Sequence, residues 1–151
     1  MKRFTLDEAN ALIPELTRRL MAARAELDPL YETVLAANND LLDREWKLRH
    51  AREEGAPRLS LTELQAEWDE AAAHLVACKE HFAERQEAWL RLLSRMGLVV
   101  RDLRNGWVDI PAHGSAVARC YCWAVGEPEI SYWHDADDHS VEDRKPLTER
   151  A

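Results

Sequence analysis

No stretch of this sequence approaches the roughly 20 consecutive apolar residues that a bilayer-spanning helix requires. The N-terminal MKRFTLDEAN carries two basic residues and then turns acidic, where a secretory leader would enter an apolar region. A cytoplasmic location is expected. Cysteine is scarce: Cys78, Cys120 and Cys122 form an odd set, and two of them stand only two residues apart, so a disulfide framework is excluded and reduced thiols are expected. Positive charge is also in deficit, with 20 basic against 28 acidic residues and a net charge of -8. From residue 126 onward there are eight acids and three bases, so -5 of that charge lies in the C-terminal stretch, which repels phosphate backbones and makes nucleic acid an unfavourable partner. A Gly-rich phosphate loop, an HExxH pair and a nucleophile motif are likewise missing, so no reaction type can be named from motifs.

What is present is helical periodicity. Thr5 and Glu8 in TLDE have the form of a capping box, which predicts a helix from about Leu6. Leu6, Ala9, Ile13, Leu16, Leu20, Ala23, Leu27, Leu30, Val34, Ala37 and Leu41 then recur at alternating spacings of three and four, the pattern of a coiled-coil seam. Pro14 and Pro29 lack the amide proton of an intrahelical bond, so each is expected to bend or interrupt the helix, Pro29 after Asp28 above all. EEGAPRLS at 53–60 reads as a loop, and Ser60 with Glu63 as a second capping box. After it Leu61, Leu64, Trp68, Ala71, Leu75, Cys78, Phe82, Arg85, Trp89, Leu92 and Met96 repeat the seam, and Gly97 stops it.

Two long helices joined by a short loop fold back as an antiparallel hairpin. Arg85 occupies a seam position and comes level with Glu26, which predicts an ion pair that sets register. Leu12, Leu35, Leu42, Val76, Leu90 and Leu93 lie on outer flanks that a two-stranded seam does not cover. This predicts a homodimer or higher oligomer through the helices, unless the C-terminal region folds over one flank.

Past Gly97 the period becomes two. LVVRDL and WVDI read as strands around Asn105-Gly106, a pair favoured in tight hairpin turns, and AVARCYCWAV and EISYWH as strands around GEP. The expected fold is α+β in a single domain, 1–151: a coiled-coil-like helical hairpin over 1–97, a small antiparallel β-meander over 98–134 and an acidic tail over 135–151.

FTLDEANALIPEL, GLVVRDLRNGWVDIPA, CWAVGEPEISYWH and RKPL together resemble the bacterial domain-of-unknown-function family numbered 2203, in the right order over nearly the whole chain. Pro14, Asp109, Pro111, Trp123, Gly126, Glu127, Glu129, Trp133, His134, Arg144 and Pro146 fall on the family's motif positions; Cys120 and His139 do not. The resemblance implies a small cytosolic protein with a helical N-terminal half and brings no activity with it.

Chemistry is therefore confined to the β region. Glu127, Glu129, His134 and Asp109 can move protons, Arg144 can hold an anion, and Trp123 and Trp133 with Trp107 and Tyr132 can wall a pocket. Hairpin register decides the rest. With Val125 opposite Glu129, Cys120 faces His134 and Cys122 faces Tyr132 on one side of the sheet; with Val125 opposite Ile130, the cysteines meet Trp133 and Asp135. The first register permits a zinc site from Cys120, Cys122 and His134 with Asp135. The acids Asp135, Asp137 and Asp138 resemble half of a calcium loop without its central Gly and terminal Glu. The functional expectation is a binding or scaffolding module acting as a helical oligomer. The alternative is a metal-binding protein or small enzyme centred on His134, with zinc as the cofactor its ligand types suit.

Overall fold

A computed structural model of the chain describes residues 2–114, 117–137 and 143–149. Asp138, His139 and Glu142 of the acidic stretch lie outside the described residues. Helix α1 runs Leu6–Glu53 and α2 runs Arg58–Ser94, and the two pack together. Five strands follow, β1 (Val99–Asp102), β2 (Trp107–Pro111), β3 (Arg119–Ala124), β4 (Tyr132–Asp135) and β5 (Lys145–Pro146), then a single 3-10 turn at Leu147–Glu149. The strands form one antiparallel sheet in sequence order. The fold is α+β, as the change of period predicts. β5 adds a fifth strand where the sequence reads as acidic tail. Among the described residues, no helix is long and apolar enough to cross a membrane.

The α1 capping box forms in both directions: the Thr5 amide donates to Glu8 Oε2 at 2.8 Å and the Glu8 amide to Thr5 Oγ1 at 3.2 Å. Neither proline interrupts α1. Pro14 and Pro29 both lie on exposed positions, where the carbonyl that loses its donor one turn back can be met by water. The second capping box is not the start of α2, which begins two residues earlier. The Pro57 carbonyl accepts the Leu61 amide at 3.1 Å, leaving Ser60 inside the first turn.

The chain groups into two compact units, Met1–Ala25 with Glu87–Ala151, and Glu26–Gln86, and both helices contribute to each. In the second unit every seam residue is buried or half-buried, Leu27, Ala37, Ala71 and Leu75 most completely. Arg85 holds Glu26 through both carboxylate oxygens, at 2.5 and 3.2 Å, and the rings of Tyr31 and Phe82 meet at 5.8 Å. Leu35, Leu42, Trp46 and Val76 remain exposed.

In the first unit the sheet is tied to the start of α1 by side chains. Asn10 Oδ1 accepts the Ile130 amide at 2.8 Å, and the Arg24 guanidinium donates to the Arg104 carbonyl at 2.6 and 3.0 Å. Phe4 lies alongside the end of β2, its amide bonded to the Pro111 carbonyl and its carbonyl to the His113 amide, both at 2.8 Å. Leu93 is fully buried here, with Leu16, Leu20, Val108, Ile110 and Trp123; it is not an outer-flank residue.

Candidate functional site

Strand alternation sorts the sheet's chemistry. β2 and β3 pair with Asp109 opposite Cys122 and Pro111 opposite Cys120; β3 and β4 pair with Cys120 opposite His134 and Cys122 opposite Tyr132. This is the first of the two registers that the turn allows. Asp109, Cys120, Cys122, Tyr132 and His134 therefore share one face, and Val108, Ile110, Tyr121, Trp123 and Trp133 the other. Both faces are buried at their centre: Asp109 and Cys122 are 0% exposed and His134 is 1%.

His134 reaches across β3 to place Nε2 2.7 Å from Asp109 Oδ1. Its Nδ1 lies 2.7 Å from the Asp135 carbonyl oxygen, which only accepts, so Nδ1 carries a proton and donates it. The contact between Nε2 and Oδ1 then holds one further proton, shared by a ring nitrogen and a carboxylate that each offer a lone pair. In this arrangement His134 has no ring nitrogen free to act as a base. The second carboxylate oxygen of Asp109 accepts Arg101 Nε at 2.5 Å. A fully buried carboxylate is thus met on both oxygens, which is the condition for keeping a charge out of water.

Cys122 lies beside this pair and accepts the indole N–H of Trp107, with Nε1 2.7 Å from Sγ. Burial pushes the Cys122 thiol up, against the lowering effects of the Trp107 hydrogen bond and the Arg144 charge. Burial likewise raises Cys120, to about 11, with the Asp109 charge adding to the shift and Arg101 and Arg3 opposing it. One ligand atom each from Asp109, Cys122 and His134 lie within 4.8 Å of one another, the sole such buried group of three or more among the described residues.

The remaining candidates fall around this centre. Arg144 lies over the Tyr132 ring at 3.8 Å and donates to Glu127 Oε1 at 2.6 Å. Arg144 Nε and Glu127 Oε2 are buried with no hydrogen-bond partner among the described residues. The Glu127 carbonyl accepts the Trp123 indole at 2.9 Å, which pins the β3–β4 turn to the sheet, and Trp123 itself is fully buried. Trp133 lies on the opposite face beneath Arg119 and Lys145, at 4.3 and 4.8 Å from its ring. Glu129 is exposed.

Of the zinc set expected from the sequence, Cys122 and His134 come together and Cys120 stands next to them. The Asp135 carboxylate instead meets Lys145 at 3.3 Å and Arg119 at 3.6 Å, and Asp109 supplies the carboxylate at the cluster. Sequence reasoning includes Asp109 as a proton carrier but not as a partner of the thiols. The signal for it is an acid between Val108 and Ile110, two residues that end fully buried. Arg101 has no comparable signal: its approach depends on the irregular register between Val100 and Asp102.

A family model described as Uncharacterized conserved protein (DUF2203) matches residues 2–147, nearly the whole chain. No curated protein and no solved structure matches.

Proposed function

The chain belongs to the uncharacterized conserved protein family DUF2203, and from its own residues we propose that it binds one divalent transition metal, of the zinc class, through Asp109, Cys122 and His134. The observation that carries this reading is the convergence of an oxygen, a sulfur and a nitrogen ligand from three adjacent strands within 4.8 Å, all buried. Those three donor types are the ones zinc takes, at about 2.0–2.3 Å. Around a tetrahedral ion such atoms stand roughly 3.3–3.8 Å apart, so small side-chain adjustments suffice. His134 supports the reading through its far nitrogen: Nδ1–H bonded to a backbone carbonyl is the arrangement that orients a metal-binding imidazole and leaves Nε2 for the ion. The ion takes the place of the proton between Nε2 and Oδ1 and of the thiol proton of Cys122.

Elemental analysis of protein purified without an affinity tag tests this, followed by zinc titration of the metal-stripped chain. One zinc per chain is expected, with affinity falling at least about tenfold in Cys122→Ser and in His134→Gln. Failure of the stripped chain to take up zinc, or uptake indifferent to both substitutions, would sink the proposal.

A second reading, that the helices associate with another copy as a binding or scaffolding assembly, is favoured by a separate observation. Leu35, Leu42 and Trp46 recur on α1 at spacings of seven and four, and are 40%, 54% and 53% exposed. Sedimentation equilibrium of the intact chain and of Leu42→Glu/Trp46→Glu tests it: an oligomer dissociated by the charges supports association, and a wild-type monomer at micromolar concentration ends it.

A further inference from the structure

Helix α2 carries a second set of metal-ligating side chains, away from the sheet. His74, Cys78 and His81 follow one another at spacings of four and three, which keeps them within about 60° of one another around the helix. Two of them have already met: Cys78 Sγ lies 3.6 Å from His74 Nε2 and 3.9 Å from His74 Nδ1. Around a tetrahedral zinc, with bonds of about 2.0 Å to nitrogen and 2.3 Å to sulfur, the two ligand atoms stand roughly 3.6 Å apart. An ion can therefore enter with little change in the separation of the pair. His81, one turn further along, is exposed, and rotation about its own side-chain bonds carries the imidazole toward the pair.

The electrostatics of this flank favour a cation. His74 lines a cleft of about 220 Å³ between α1 and α2 together with Asp40, Arg44, Glu67 and Glu70. Arg44 holds Asp40 at 3.3 Å and Glu67 at 2.7 Å, and Glu70 adds a third acid. Three carboxylates against one guanidinium leave a surplus of negative charge, which raises the local concentration of cations. Cys78 is half-buried and His74 exposed, so an ion reaches the pair without the helices separating.

We propose that His74, Cys78 and His81 form a second binding site for a divalent transition metal of the zinc class, independent of the Asp109–Cys122–His134 cluster. The ion takes two imidazole nitrogens and the Cys78 thiolate, whose proton passes to solvent, and a water completes the tetrahedron. Exposed ligands that must give up side-chain freedom bind more weakly than a buried set already converged. This site therefore fills after the buried cluster and empties on desalting, which leaves one zinc per chain in the purified protein.

Native alkylation of Cys78 reads this site alone, because Cys120 and Cys122 are buried. The full-length chain, free of any affinity tag and stripped with a chelator, would be treated with iodoacetamide across a zinc titration and its peptides mapped by mass. Saturating zinc is expected to slow Cys78 labelling at least about tenfold, since the bound thiolate is no longer the free nucleophile. The half-protecting zinc concentration should rise at least about tenfold in His74→Gln and in His81→Gln. It should keep its wild-type value in Cys122→Ser and in His134→Gln, either of which disables the buried cluster. Helical circular dichroism reports whether each variant remains folded. Labelling indifferent to zinc, or protection undiminished in either His74→Gln or His81→Gln, overturns the proposal and leaves a thiol–imidazole contact. Protection lost on replacing Cys122 or His134 overturns it as well, by assigning the effect to the buried cluster. Failure of the buried cluster to take up zinc leaves this site standing, because Cys78 protection is read separately.

Discussion

His134 Nε2 stands 2.7 Å from Asp109 Oδ1, although the two residues lie on strands separated by β3. Adjacent strands are about 4.8 Å apart, so the side chains span two strand spacings between them and close over the cysteine strand. That bridge fixes β2, β3 and β4 relative to one another as well as assembling the site. Removing either end leaves a different residue behind. Asp109→Ala strands an imidazole and the Arg101 guanidinium without their acceptor, whereas His134→Ala leaves Asp109 paired with Arg101. Both should destabilise the metal-free chain in urea unfolding, Asp109→Ala by about 3 kcal/mol or more and His134→Ala by less. The reverse order would show that Arg101 alone does not compensate the buried carboxylate once His134 is gone.

The two buried thiols should be inert in the folded chain. With Cys120 held up at about 11 and Cys122 raised in the same direction, little thiolate exists at pH 8 and little of either sulfur is exposed. Iodoacetamide is expected to modify Cys78 first, with Cys120 and Cys122 labelled only on unfolding. Peptide mass mapping reads the order, and rapid native labelling of Cys122 would contradict the burial that the site depends on.

The β1–β2 turn should be acid-sensitive. Asp102 accepts the Asn105 amide at 3.0 Å and its side-chain amide at 2.7 Å, and the backbone hydrogen bond from Asn105 is the main cause holding its carboxyl below the usual 3.8. A carboxyl lowered on folding contributes stability above its unfolded value and loses it as pH falls through the folded one. Wild type should therefore exceed Asp102→Ala in stability at pH 6, and the gap should narrow as pH falls through the region below 3.8. A gap that stays constant down to pH 2 would remove the charge from the explanation.

Gly106 in that turn has no room for a methyl group. Its φ is +71°, and a Cβ would stand 2.3 Å from Val125 Cγ2 and 2.9 Å from Val125 Cβ. Gly106→Ala should cost roughly 1–3 kcal/mol in chemical denaturation, combining left-handed strain with the clash. Adding Val125→Ala relieves the clash alone, so the double variant should lose less than the two single losses summed.

At the seam of the helices, Arg85 and Glu26 make an ion pair whose side chains are 41% and 33% exposed. Exposed pairs contribute little, and a leucine at a seam position adds packing. Arg85→Leu is expected to keep or raise the denaturation midpoint, and a clear fall would show that the pair is needed for register.

Much of this protein follows from short-range rules that a sequence displays openly. A three-four alternation needs only the helix period to identify its buried stripe, and Thr5 with Glu8 needs only one turn of helix to close a capping box. The Arg85 pairing is legible for a related reason: once two helices join through a loop near residue 56, antiparallel geometry sets who stands beside whom. Proline misleads because it constrains one residue, while the buried and half-buried seam residues of α1 on either side favour continuing the helix past it. The strands too reveal which residues share a face, since alternation is local.

The tertiary structure decided what no local rule contains. The β3–β4 register placed both cysteines on the face of His134, when a shift of one residue would have turned them to Trp133 and Asp135. Asp109 entered the cluster through the β2–β3 register, which sets it opposite Cys122, and Arg101 through an irregularity in β1. Each adjustment moves a side chain by one strand position or less, which is small in sequence and decisive for atoms that must meet within a few ångströms. Helices and faces are thus written in the chain by periodicity, whereas the Asp109–Cys122–His134 cluster exists only once three strands are locked in one alignment.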